Sequence, residues 1–80
     1  MLKVDKASKH SIEEVMRKAI EFFGPSGFQL EIKEHSDNHL RFEGGGGFVE
    51  IQLSFSGQTL EVELLTQEWE YQVKQFLLKL

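Results

Sequence analysis

The sequence predicts an α+β domain of order (β)-α-β-β-β-β-α, an antiparallel four- or five-stranded sheet with two helices packed on one face. Three observations carry this. A helical apolar period occupies residues 12–23 and again 69–80. The stretch between them alternates apolar and polar residues in four segments, as half-buried strands do. The registers of those segments then agree with one another across glycine-containing turns. The 80 residues make a single domain, 1–80, and a chain this small buries only about 60 to 65 % of its unfolded surface.

Leu2 and Val4 alternate with charged neighbours and suggest a short first strand. The first helix has a capping box in Ser11 and Glu14, an inward face of Ile12, Val15, Met16, Ala19, Ile20 and Phe23, and a stop at Gly24-Pro25. Four strands are then expected to present Phe28, Leu30 and Ile32; Leu40 and Phe42; Val49, Ile51, Leu53 and Phe55; and Leu60, Val62 and Leu64 on one face. With the run Gly44, Gly45, Gly46 and Gly47 as a loop, Phe42 opposes Val49, Arg41 opposes Glu50 and Leu40 opposes Ile51, so apolar faces align and a charge pair falls into register. With Ser56-Gly57 as the next turn, Leu53 opposes Leu60 and Ile51 opposes Val62. The segment Ser36-Asp37-Asn38 supplies an odd-numbered loop between the first two of these strands. Thr66 is expected to cap a last helix whose Trp69, Val73, Phe76, Leu77 and Leu80 face inward.

Composition excludes several functions. Without cysteine there is no disulfide framework, thiolate metal site or cysteine nucleophile. A net charge of −4, with nine Lys and Arg scattered along the chain, disfavours nucleic acid and anionic membranes. No apolar run approaches the ~18 residues of a membrane span, and no signal sequence is evident, so a cytoplasmic location is expected.

The glycine run does not have the surroundings of a phosphate cradle, because a strand follows it where a helix N-terminus with Lys and Ser or Thr would be needed. It reads as a hairpin, with a hinge or ligand gate as the functional alternative. His35, Asp37 and His39 are the one group of metal-ligand types: across a tight odd-numbered loop the histidines would oppose each other with Asp37 at the tip. The competing reading is a polar turn. Glu61, Glu63, Glu68 and Glu70 read as a solvated face and helix-dipole residues in preference to catalytic acids. His10 has no evident partner. Phe48, Leu65, Tyr71 and Leu78 fall off the packing face of their own elements, which is how a small domain presents an interface.

The element order resembles one repeat of the TATA-binding-protein-like fold and a reduced helix-grip fold of the START and polyketide-cyclase kind. The segments Phe22-Phe23-Gly24-Pro25, Phe42-Glu43-Gly44-Gly45-Gly46-Gly47 and Glu68-Trp69-Glu70 also resemble a group of small uncharacterised bacterial proteins. The helix-grip resemblance implies an apolar ligand pocket beneath the last helix, lined by Phe42, Phe55, Trp69 and Val73. In a chain this short the same side chains are needed to fill the core. Against the DNA-binding resemblance stands an open sheet face carrying Glu31, Glu43, Glu50, Glu61 and Glu63 with only Lys33 and Arg41 to balance them.

The sequence therefore points to a non-catalytic binding or interaction module without a cofactor, acting by self-association as a homodimer or by docking a protein partner. A small apolar-ligand carrier is the alternative.

Overall fold

The computed structural model describes all residues, Met1–Leu80. The elements are β1 (Leu2–Ser8), α1 (Ile12–Phe23), β2 (Glu31–His35), β3 (His39–Gly44), β4 (Gly47–Ser56), β5 (Thr59–Gln67) and α2 (Glu70–Leu77). One antiparallel sheet has the order β1-β5-β4-β3-β2, so the first strand forms and takes the edge beside β5.

Helix α1 begins as its sequence directs: Ser11 Oγ accepts the Glu14 backbone N–H at 3.2 Å, satisfying one of the free donors of the first turn. The Glu14 carboxylate turns to His10, whose Nδ1 lies 3.0 Å away, so His10 does have a partner, one helical turn along. Val15, Met16, Ala19 and Phe23 are buried against the sheet. The inward sheet face contributes Leu40, Phe42, Val49, Ile51, Leu53, Leu60, Val62 and Leu64, all buried. Phe76 of α2 closes the core, with its ring 5.3 Å from Phe23 and 5.5 Å from Phe22, which places both helices on the same side.

Four local expectations are corrected. Phe28 is not on a strand. After Gly24 the chain folds back over the end of α1, where the Phe28 N–H donates to the Phe22 carbonyl, and Gln29 at φ 66° delays the extended strand until Glu31. Phe28 consequently stays 44 % exposed, packed edge-on to Phe22.

Between β2 and β3 the register shifts between Ile32 and Glu34, so Ile32 opposes Phe42 as an odd loop requires, yet His35 opposes Leu40. A bulge at Lys33 absorbs the difference.

At the β4–β5 connection the central pair is Gly57-Gln58, with Ser56 opposite Thr59 and Leu53 opposite Val62. That is two residues from the expected pairing and keeps every side chain on its expected face.

Finally, Thr66 does not cap α2. It is a buried residue of β5, its Oγ1 donating to the Phe48 carbonyl at 2.7 Å. Pairing of β5 with β4 runs on to Gln67, Glu68 turns the chain at φ 75°, and α2 starts without a side-chain cap.

Candidate functional site

The glycine hairpin has the expected register, extended by the pair Gly44/Gly47, with Gly45 and Gly46 as its two central residues at φ 59° and 83°. Positive φ at both positions is the I′ pattern that matches strand twist and favours glycine. Packing holds the run further. Trp69 Nε1 donates to the Gly44 carbonyl at 2.9 Å. A Cβ on Gly44 would sit 2.7 Å from Leu30 Cδ2, one on Gly45 would sit 2.8 Å from Trp69 Cζ2, and one on Gly47 would run into the Gln67 carbonyl oxygen. Close approach thus accounts for three of the four glycines, and Gly46 alone stands in open space.

Beside this hairpin the uncovered face of the sheet carries an ordered polar network. Alternation places Arg41 next to Glu50 of β4, and Arg41 donates from Nη1 to Glu50 Oε2 and from Nε to Glu43 Oε2, both at 2.9 Å. Its guanidinium carbon lies 4.3 Å from the centre of the Phe48 ring, a cation–π contact. His39 continues the network, with Nε2 3.6 Å from Glu50 and Nδ1 3.2 Å from Glu34. The hydrogen bonds to Glu43 and then Glu50 raise the Arg41 pKa above its ordinary value. A raised base contributes its full stabilisation below its unfolded pKa and loses it only as pH climbs through the higher folded value, so Arg41 stays charged through neutral pH.

Electrostatically the face is unbalanced. Asp5 lies directly opposite Glu63, and Glu31 directly opposite Glu43. Lys33 relieves Glu31 at 3.3 Å, and Lys3 approaches Glu63 at 3.6 Å. Phe48 and Arg41 form a half-buried platform among these carboxylates.

The expected metal group is not assembled. With His35 opposite Leu40, its side chain is on the helix side, where it lines a surface depression with Asp37, Ile12, Met16 and Ile20. His39 is on the open side among Glu34 and Glu50. The Lys33 bulge separates the two histidines by setting four residues between His35 and Leu40.

The expected ligand pocket is not assembled either. Phe42 and Val73 are fully buried core residues, Trp69 is committed to the glycine hairpin, and Phe55 is 60 % exposed at the far end of β4. Of the four surface depressions, none is lined by a residue of α2.

The four expected interface residues fall into two pairs. Phe48 and Leu65 are half-buried diagonal neighbours on the open sheet face. Tyr71 and Leu78 are 69 % and 79 % exposed, one heptad apart on the outer side of α2. Sequence reasoning found the Arg41/Glu50 pair and singled out His39 only as a metal-ligand candidate; it missed the pairing of His39 with Glu34 and Glu50 and the stacking of Arg41 on Phe48. Phe48 falls off the packing face by sequence alone, and cross-strand alternation from the glycine hairpin would have placed His39 with it on the open side.

No protein-family model matches the chain, and no characterised protein matches it in sequence. No helix is long and apolar enough to cross a membrane.

Proposed function

We propose that the chain is a non-catalytic interaction module that works through its surface, by self-association or by docking another protein. One observation carries the reading. The space beneath α2 is filled by Val73, Phe76 and Phe42, while Tyr71 and Leu78 on the outer side of α2 are left bare. Apolar groups that a small domain does not use for its own core are available to another surface. The Arg41–Phe48 platform adds a second contact region made of residue types enriched in interfaces. The carboxylates around it favour a polypeptide surface and repel a phosphate backbone.

The test is thermal unfolding over a protein concentration range of about 1 to 500 µM. Coupling of folding to association makes the melting temperature rise with concentration. Replacing Tyr71 and Leu78 by serine is expected to remove that rise and to leave the melting temperature of the dilute protein within a few degrees. A concentration-independent melting temperature in the wild type contradicts the self-association form of the proposal.

A further inference from the structure

The sheet does not close, and its two edges are built differently. β2 is a five-residue strand whose pairing with β3 is broken by the Lys33 bulge. Bulges and charges are the usual means of blunting an edge against further pairing. β1 has neither a bulge nor a proline: all seven residues from Leu2 to Ser8 stand opposite β5 residues without a shift. Lysine is another common edge blocker, but Lys6 is turned to the helix side, where its Nζ donates to the Leu77 carbonyl at 2.8 Å, and Lys3 on the open face is drawn inward to Glu63 of β5 at 3.6 Å. The outer backbone groups of β1 have no neighbouring strand.

The sequence of β1 is also complementary to itself when reversed. Laid antiparallel against a second β1 about Val4, Lys3 faces Asp5, Val4 faces Val4 and Leu2 faces the aliphatic stem of Lys6. Asp5 is the residue left wanting in the single chain. It lies opposite Glu63, the nearby Lys3 is engaged by that same Glu63 at 3.6 Å, and Asp5 takes part in no ion pair. Like charges directly opposite on a sheet are destabilising, and a cation delivered from outside the chain would relieve this one.

The geometry points to a second copy of this chain as the occupant of the β1 edge, paired antiparallel around a twofold axis at Val4, with two Lys3–Asp5 contacts on the open face of a continuous sheet. This rests on the interaction-module reading and names its partner. The same axis sets α2 beside its copy. The helix packs on β5 and runs in the direction of β1, with Glu70 3.9 Å from the terminal amine and the Leu77 carbonyl on Lys6. Its copy runs in the opposite direction, so the Tyr71 end of one helix stands on the same side of the sheet as the Leu78 end of the other.

Charge reversal across the axis tests the register. Lys3→Asp and Asp5→Lys are exposed changes, and the second places a cation opposite Glu63, so both chains are expected to fold. Sedimentation equilibrium of the wild type at about 300 µM should show a dimer. Each single variant should associate about tenfold or more weakly, because two repulsive pairs replace two attractive ones. An equimolar mixture of the two variants should regain at least wild-type affinity as a heterodimer, since both cations of one chain then face both acids of the other. Variants that dimerise like the wild type, or a mixture no tighter than its components, would overturn the β1 pairing while leaving self-association through another surface standing. A monomeric wild type would overturn both.

Discussion

The two faces of the sheet are made from the same strands by alternation, yet they do different work. On the covered face eight strand residues from Leu40 to Leu64 are buried at 2 % exposure or less, against α1 and α2. On the open face the strands present Arg41 paired with Glu43 and Glu50, and Lys3 paired with Glu63, ion pairs that keep one side in water. Apolar burial is worth far more per residue than exposed ion pairing, so stability is concentrated on the covered face. The open face is therefore free to change for the sake of contacts.

Substitutions should divide along that line. The largest effect belongs to Phe42→Ala, which empties a ring-sized space beside Phe23 in the covered layer. A loss of about 3–5 kcal/mol is expected, comparable with the whole stability of a small domain, and chemical denaturation measures it. Gly47→Ala should cost about 3 kcal/mol or less, because its Cβ meets the backbone of Gln67, which has little room to move.

Within the turn, Gly45→Asn and Gly46→Asn separate conformation from packing. Asparagine accepts positive φ at either position. At 46 nothing is within 4 Å and stability should change by less than about 0.5 kcal/mol, whereas at 45 the new Cβ meets Trp69 and the loss should be about 1–2 kcal/mol. Equal effects at the two sites would mean that Trp69 does not clamp the hairpin.

On the open face the effect should be small beside that of the covered layer. Exchanging the charges of Arg41 and Glu50 keeps their pair but sets a carboxylate beside Glu43 and removes the cation from Phe48. A loss of about 1 kcal/mol is expected, and one above about 3 kcal/mol would break the contrast between the faces.

Much of this was legible because alternation and glycine chemistry are local. The register from Leu40/Ile51 to Glu43/Phe48, the Ser11 cap and the inward face of α1 followed from spacing alone. The misses have a common cause. A two-residue slip at Gly57 preserves every face, so the pattern of Leu53, Leu60 and Val62 cannot detect it. The Lys33 bulge leaves alternation readable on each side and is invisible within it, and it decided that His35 and His39 part company. Thr66 is a good helix cap by type but is held in β5 by the Phe48 carbonyl, a tertiary contact across 18 residues of chain. Of the site, Arg41 and Glu50 could be read from register. The exposure of Phe55 could not, because it depends on how far the helices reach along the sheet.

The central claim is that this domain is completed by a second copy of itself, and the wild-type chain in sedimentation equilibrium at a few hundred micromolar tests it most directly. The account predicts a reversible monomer–dimer equilibrium whose dimer fraction rises with concentration. A single species of monomer mass at every concentration would contradict it.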